Sequence, residues 1–148
     1  REYIEDQIER LEGLAYQKKI KLEFLPGDEH KIISDVMLLG RAFSNVTSNC
    51  IRYAKEMVQI SVEENGEQLK ITIRDDGPGI AEDDLPHLFD RFYKGKNGNH
   101  GLGLSIAKRS MEYMGGNIVA EASPDGAIFT IILPPDCRSF AVDDWTEV

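Results

Sequence analysis

The sequence predicts an α+β domain built as a two-layer α/β sandwich, with a mixed sheet of about five strands covered on one face by about three helices. Two observations support this fold class. Three segments have the 3.6-residue apolar period of helices, and about five segments alternate in the manner of half-buried strands. Because elements of both kinds are apolar on one side only, stacking a helical layer on a sheet is the simplest way to bury them.

The three helical segments span residues 1–16, residues 36–54 and a stretch from Leu102 that ends at Gly115–Gly116. The first has a narrow apolar stripe that suits packing against a partner helix, and Asp35 is placed to cap the second. The apolar face of the first helix consists of Ile4, Ile8, Leu11 and Ala15. That of the second consists of Leu39, Ala42, Phe43, Val46 and Cys50, and that of the third of Leu104, Ala107, Met111 and Met114.

The strand segments are separated by strong turn signals. Asn65-Gly66 predicts a hairpin because both turn positions tolerate positive φ, and Pro124-Asp125-Gly126 predicts another turn near the end of the chain. Residues 136–148 form an acidic tail that we expect to be frayed. The predicted strands are Ile20–Phe24, a short one at Ile32–Ile33, Val58–Val62, Leu69–Ile73, Ile118–Ala122 and Ala127–Leu133.

Composition excludes several classes of protein. The chain has 148 residues, a length that suits one compact domain able to fold without a disulfide or a structural metal. With 26 acidic and 17 basic residues its net charge is -9, which argues against a nucleic-acid binder. No apolar run approaches the roughly 18 residues of a membrane span. The two distant cysteines, Cys50 and Cys137, fit neither a zinc site nor a redox pair, so a reduced, cytosolic protein is expected.

Charge is distributed unevenly in the middle of the chain. Residues 75–90 hold six acidic residues and no Lys or Arg, whereas residues 91–109 hold five basic residues and no acid. Two solvated surface segments of opposite sign are one interpretation. A local positive field aimed at an anion is the other, and the glycines of the basic stretch favour it because backbone N–H groups at a glycine-rich helix start bind anions.

The helix over 36–54 carries a polar stripe opposite its apolar face. Arg41, Asn45, Asn49 and Arg52 share this stripe, and Tyr53 lies beside it. A solvated polar face is one interpretation. Two asparagines one turn apart are poor helix formers, however, which suggests that their amide oxygens are used, for instance as hard ligands for Mg²⁺. We expect the stripe to bring both arginines to the same site.

Two glycine-rich segments complete the pattern. Asp75-Asp76-Gly77-Pro78-Gly79-Ile80 follows a predicted strand, where a carboxylate can accept a hydrogen bond from the amino group of a base. Residues 95–104 lead into the third helix, but they match neither a phosphate-binding P-loop nor a dinucleotide fingerprint. Each segment alone is a weak or moderate signal.

Together and in this order, these segments resemble the ATP-binding catalytic domain of sensor histidine kinases, in the superfamily that includes gyrase-type, mismatch-repair and heat-shock ATPases. The resemblance covers about residues 17–135. Its four motifs are an asparagine motif at 45–54, a first glycine motif at 75–80, a phenylalanine motif at 88–94 and a second glycine motif at 101–104. The resemblance implies a five-stranded mixed sheet with three helices, and it implies binding of ATP and Mg²⁺.

The resemblance also implies roles for individual residues. Asn49 matches the Mg²⁺ ligand, and Asp75 matches the acceptor for the adenine amino group, with Asp76 at the variable position of the motif. Candidate catalytic residues near the phosphates are Asn45, Arg52, Arg91 and Lys94. The other nucleotide-contacting positions are Tyr53 near phosphate or ribose, Gly77, Gly79 and Ile80 at the base, Phe89 and Phe92 as anchors of the lid, and Gly101, Leu102, Gly103 and Leu104 around the phosphates.

The sequence departs from the family pattern in several places. Cys50 stands where Ala is usual, and its apolar position indicates a packing role. Asn99 replaces the first glycine of the second glycine motif, at a place where Asn tolerates left-handed backbone geometry. None of His30, His87 and His100 lies in the H-E-x-x-T-P-like context of a phosphoacceptor histidine.

The resemblance therefore implies a protein histidine kinase catalytic unit without its own phosphoacceptor. Residues 1–16 would be a linker or the end of the dimerisation helix, residues 17–135 the catalytic domain, and residues 136–148 the acidic tail. The implied partners are the dimerisation and phosphoacceptor domain and, through the full-length kinase, a response regulator. We expect a monomeric, cytoplasmic unit with no membrane contact of its own, any membrane anchor belonging to other parts of the parent kinase.

Two other interpretations stay open on the residues. One is an ATPase or an anti-sigma-type Ser kinase of the same superfamily, which uses a Glu one turn before the Mg²⁺ asparagine. Asn45 occupies that place here and cannot act as a general base. The other is a nucleotide-binding module without phosphoryl transfer, which predicts lost phosphate contacts.

Overall fold

The computed structural model describes residues 2–25, 33–65, 68–91, 103–134, 136–137 and 145–147. The helices within these ranges are α1 (Glu2–Gln17), α2 (Val36–Tyr53) and α3 (Gly103–Tyr113), and Leu85–His87 forms a 3-10 turn. The strands are β1 (Lys21–Leu25), β2 (Ile33–Asp35), β3 (Met57–Asn65), β4 (Gln68–Asp75), β5 (Asn117–Ser123), β6 (Gly126–Leu133), β7 (Asp136–Cys137) and β8 (Trp145–Glu147).

A five-stranded mixed sheet forms one layer, as the sequence predicted. Its strand order is β1-β3-β4-β6-β5, in which β1 runs parallel to β3 and the other neighbouring pairs are antiparallel. Both predicted hairpins are present, because Asn65 pairs with Gln68 and Ser123 pairs with Gly126. Asn65 and Gly126 are themselves paired strand residues, so their predicted places in the turns are wrong. The second hairpin brings the start of β6 beside the end of β4, where the first glycine motif begins.

The helices form the other layer. α2 packs against α3 and against β3, β4 and β6, while α3 also packs against β5 and β6. Every residue that the sequence assigned to an apolar helix face is buried, so the predicted periods identified the core correctly. The sheet contributes the alternate residues of its central strands, for example Ile71 and Ile73 of β4 and Phe129 and Ile131 of β6.

The first helix belongs to the same core. Its stripe of Ile4, Ile8, Leu11 and Ala15 is buried in the cluster that also contains the buried faces of α2 and α3. α1 packs against α2 and β1, so α2 is the partner helix that the narrow stripe requires. The assignment of residues 1–16 to a linker or a dimerisation helix stays a prediction.

The expectation of a frayed C-terminal tail is wrong for two segments. β7 pairs in parallel with β2, and β8 pairs antiparallel to it on the other side. A short strand outside the main sheet leaves backbone N–H and C=O groups that require partners, and these two segments supply them. Residues 138–144 of the tail lie outside the described residues, and so do Phe92, Lys94, Gly101 and Leu102 among the predicted site residues.

Candidate nucleotide-binding site

A pocket opens between the C-terminal half of α2, the end of β4 and the start of β6. Five of the predicted site residues line it, namely Asn49, Tyr53, Asp75, Gly79 and Ile80. The remaining walls come from Ala81, Asp84, Leu88, Ala127 and Phe129, which the motifs did not identify as site residues. The pocket therefore combines apolar walls with a few polar groups, as small-molecule sites usually do.

Asp75 is one of two buried carboxylates that line this pocket, the other being Asp84. Asp75 is the last residue of β4 and is only 5% exposed. Its Oδ1 atom accepts hydrogen bonds from the backbone N–H groups of Gly77, at 2.9 Å, and of Ala127, at 3.2 Å. Neither backbone bond uses Oδ2. The side chain is thus fixed from two elements, its own turn and β6.

Burial raises the pKa of Asp75 above its ordinary value. The hydrogen bonds from Gly77, Ala127 and the Cys50 thiol act against this shift, whereas the negative charge of Asp76 adds to it. Cys50 is fully buried on the apolar face of α2, which agrees with the predicted packing role. Burial raises the pKa of the Cys50 thiol well above the ordinary range, and the charge and hydrogen bond of Asp75 add to the shift.

Asp76 has a different function that sequence reasoning missed. Its carboxylate accepts hydrogen bonds from the backbone N–H groups of Lys55, Glu56 and Met57, at 2.8 to 3.3 Å. Slight burial acts to raise the pKa of Asp76, but the bonds from these amides outweigh it and lower the pKa. Asp76 therefore ties the chain after α2 to the end of β4. No sequence signal distinguishes this role from a solvated acid.

The glycines of the first glycine motif and of the β5–β6 hairpin are required by close backbone approaches. A Cβ atom added at Gly77 would overlap the carbonyl oxygen of Tyr53 and lie 2.9 Å from its carbonyl carbon. Gly126 has a φ of 145°, and a Cβ there would overlap the carbonyl oxygen of Asp75. Gly79 lines the pocket with a φ of 82°, in the left-handed region that favours glycine. Gly77 thus acts behind the pocket wall, whereas Gly79 forms part of it.

The polar stripe of α2 is present, but its residues lie at different places. Asn45 and Asn49 are half-buried, and Arg52 is exposed near the pocket end of the helix. Arg41 does not line the pocket. It lines a separate groove between α1 and α2, together with Arg10 and Met37. Arg52 does not line the pocket either, so the expectation that both arginines reach the nucleotide stays a prediction.

The remaining described candidates lie around the pocket. Phe89 packs edge-on against Phe129, with ring centroids 6.4 Å apart, so it supports a pocket wall from behind. Gly103 is the first residue of α3, and Arg91 is exposed. The side chain of Leu104 is 1% exposed and lies in the hydrophobic core, so only its backbone is available to the site.

A metal ion would find few protein ligands here. Among the residues that the structure describes, no group of three or more His, Cys, Asp or Glu side chains could hold one. The amide oxygen of Asn49 is a suitable hard ligand, so Mg²⁺ at this position would take its other ligands from phosphate oxygens and water, as Mg²⁺ commonly does. Over the described part of the chain, no helix is long and apolar enough to cross a bilayer.

Comparison with known proteins agrees with this geometry. A family profile described as "Histidine kinase-, DNA gyrase B-, and HSP90-like ATPase" matches residues 34–136. The signal transduction histidine-protein kinase AfsQ2 of Streptomyces coelicolor is 43% identical over 116 residues, which is 74% of this chain and 22% of that protein. The sensor histidine kinase CssS of Bacillus subtilis is 33% identical over 138 residues, covering 90% of this chain and 29% of that protein.

Solved structures show the same fold. The mycobacterial sensor histidine kinase MprB superposes with a TM-score of 0.80 at 26% identity, over 93% of this chain and 96% of that one. The nucleotide-free catalytic domain of histidine kinase ThkA gives a TM-score of 0.81 at 23% identity, over 91% of each chain. The chain spans less than a third of the two curated relatives cited above. It belongs to the family of histidine kinase-, DNA gyrase B- and HSP90-like ATPases, and within that family it corresponds to the ATP-binding catalytic domain of sensor histidine kinases.

Proposed function

We propose that this domain binds Mg-ATP and donates the γ-phosphoryl group to a histidine on a separate phosphoacceptor domain. The observation that carries the proposal is the position of Asp75 in the pocket. Its Oδ1 atom is held by two backbone N–H groups, the Cys50 thiol also bonds to the carboxylate, and the residue lines the pocket that a ligand would occupy. Asn49 lines the same pocket from α2.

The pocket fits a purine base that carries an amino group. Ile80, Leu88 and Phe129 supply apolar walls for a planar ring, and Asp75 supplies a charged hydrogen-bond acceptor. Adenine has an amino group at its six-position, whereas guanine has an oxygen there. Guanine can still offer a carboxylate its N1–H and 2-amino donors from another edge. In the orientation that points the six-position substituent at Asp75, adenine donates its amino group whereas guanine would present an oxygen, so this orientation favours ATP over GTP.

The phosphates would extend from the base pocket along α2 toward Asn45. In this pose Asn49 binds Mg²⁺, and Asn45 and Arg52 lie on the same helix within reach of the phosphate chain. Bound Mg²⁺ would neutralise charge that develops on the phosphoryl oxygens. We assign the roles of Arg91, Lys94, Phe92, Gly101, Leu102 and Gly103 from their motif positions alone, as phosphate contacts and anchors of the segment that covers the nucleotide.

The partners follow from the same proposal. A phosphoacceptor histidine must come from a dimerisation domain of the parent kinase, and a response regulator would receive the phosphoryl group next. The histidine kinase ThkA, solved in complex with the response regulator protein TrrA, resembles this chain in fold, with a TM-score of 0.78. We propose a monomeric domain that works in the cytoplasm, with any membrane anchor elsewhere in the parent protein.

Two measurements test this function. Calorimetric titration of the domain with Mg-ATP should give a dissociation constant in the micromolar to millimolar range, with competition by ADP. The domain, γ-labelled ATP and a separately expressed phosphoacceptor domain of a relative such as AfsQ2 should then give an acid-labile, base-stable phosphoprotein. Absence of binding heat and of ADP competition would contradict the nucleotide site itself. Binding without any labelled acceptor would favour the non-transferring module.

The Ser kinase or ATPase alternative is tested at Asn45. Its side chain lies one turn before Asn49 and cannot accept a proton from water or a hydroxyl group. Asn45→Glu should therefore retain nucleotide binding and raise the slow ATPase rate. An unchanged ATPase rate would leave the general-base argument against that alternative unsupported.

A further inference from the structure

Lys108 of α3 has a position that the basic stretch did not predict. The sequence placed it among five cations expected to form a positive field for an anion. In the structure its Nζ atom donates hydrogen bonds to Oδ1 of Asn117, at 2.5 Å, and to the backbone oxygen of Ile118, at 2.8 Å. Asn117 is itself fixed, because the same Oδ1 atom accepts from the N–H of Ile118 at 2.9 Å. The ammonium group is thus tied to the start of β5.

The same ammonium group contacts an aromatic ring. Its Nζ atom lies 5.2 Å from the ring centroid of Phe89, within the range of a cation–π interaction. The Phe89 ring in turn meets Phe129 at an interplanar angle of 86°. Phe129 is 1% exposed and lines the nucleotide pocket. A continuous series of contacts therefore runs from β5 through Lys108 and Phe89 to the pocket wall.

We propose that Lys108 is a positioning residue for the base pocket, which holds the Phe89 ring against Phe129, and is not a ligand of the phosphates. The proposal rests on the nucleotide-binding function proposed above. An ammonium group has three N–H donors, of which two are used by oxygen atoms of β5. Its position over Phe89 is therefore set by the protein before any nucleotide arrives.

The two roles predict different results for different ligands. If Lys108 positions the base pocket, Lys108→Met should weaken adenosine, ADP and ATP by the same factor, because all three carry the same base. A loss of about three- to tenfold corresponds to the usual strength of a partly buried cation–π contact. If Lys108 instead contacts phosphate, ATP and ADP should lose affinity while adenosine binding stays unchanged. That second result would overturn the proposal.

A neighbouring residue provides a matched control. Arg109 is exposed on the same helix, and its side chain makes no hydrogen bond or ion pair with the residues that the structure describes. Arg109→Met also removes one positive charge from α3. Any loss of ligand affinity that it shares with Lys108→Met is a long-range electrostatic effect and is subtracted from the loss measured for Lys108→Met. Lys108→Arg keeps a cation over the ring and should recover most of the adenosine affinity.

A double-mutant cycle separates positioning from a general loss of stability. In a Phe89→Leu background the cation has no ring to hold, so adding Lys108→Met should cause little further loss of adenosine affinity. Thermal unfolding of each variant is measured in parallel. Additive losses in the cycle, or wild-type adenosine affinity in a folded Lys108→Met domain, would contradict the proposal. If the wild-type domain binds no nucleotide at all, the proposed function fails, which is a distinguishable outcome.

Discussion

Replacing Asp75 by Asn should impair nucleotide binding without destabilising the domain. The Asn side chain retains one oxygen, which can still accept from the N–H groups of Gly77 and Ala127. With the oxygen in that place, the amide nitrogen takes the position of Oδ2. The ligand's amino group then meets a donor where it had a charged acceptor.

The size of the effect follows from this exchange. A hydrogen bond to a charged acceptor contributes about 1.5–3 kcal/mol, so its loss should raise the Kd for Mg-ATP by about 10- to 160-fold. The same amide nitrogen faces the six-position oxygen of guanine favourably, so the preference for ATP over GTP should narrow. The free energy of unfolding should stay the same or rise, because the variant removes a charge whose burial is unfavourable in the native state.

Asp76→Asn is the matched control because it makes the same chemical change one residue away. It weakens charge-assisted bonds from Lys55, Glu56 and Met57, and we expect a loss of about 1–2 kcal/mol in the free energy of unfolding with ATP affinity close to wild type. Isothermal titration calorimetry and urea unfolding of both variants decide the matter. Equal affinity losses in the two variants would refute the role of Asp75, and a larger stability loss in Asp75→Asn would refute the hydrogen-bond argument.

Three other perturbations test the rest of the site. Gly77→Ala should lower the free energy of unfolding by about 1–3 kcal/mol, because the added Cβ overlaps the Tyr53 carbonyl. Gly13→Ala, in open space on α1, should raise the free energy of unfolding by about 0.5–1 kcal/mol. Urea unfolding measures both changes. Cys50 should resist alkylation at pH 8 in the native domain and react after unfolding, as peptide mass spectrometry would show; rapid native labelling would contradict its burial. The stability that the Asp76 carboxylate contributes should be fully present above its ordinary pKa of 3.8. It should be lost as the pH falls through the lower pKa that Asp76 has in the native domain. The free energy of unfolding should therefore fall less steeply with acid in Asp76→Asn than in the wild type.

Much of the fold was predictable because it depends on local patterns. The apolar faces of the three helices follow from a 3.6-residue period, and each assigned residue is buried. The existence of the hairpins follows from the turn signals at Asn65-Gly66 and Pro124-Asp125-Gly126, although Asn65 and Gly126 themselves pair within the strands. The pairing of β2 with β7 and β8 was not predictable, because those strands are two or three residues long and join segments about 100 residues apart.

The sequence predicted which residues line the site better than it predicted the contacts that hold them in place. Motif resemblance identified Asn49, Tyr53 and Asp75, which the structure brings to one pocket. It could not identify the partners of Asp76, which lie about 20 residues earlier in the chain and are backbone groups without sequence identity. The charge distribution included Lys108 in a positive field for an anion, because its oxygen partners on β5 and its aromatic partner Phe89 lie on other elements.

Adjacent carboxylates with opposite pKa shifts show how the pocket is organised before a ligand binds. Burial makes the charge of Asp75 unfavourable, and a ligand that donates a hydrogen bond to it relieves that cost. Asp76 has already satisfied its charge with backbone amides, so it gains nothing from a ligand and instead fixes the turn that carries Asp75. Because Asp75 is held in this way from β4, β6 and the end of α2, it does not need to be ordered on binding. A preorganised acceptor lowers the entropic cost of association, and the affinity for the base then depends on a carboxylate whose geometry is already set by backbone groups of the protein.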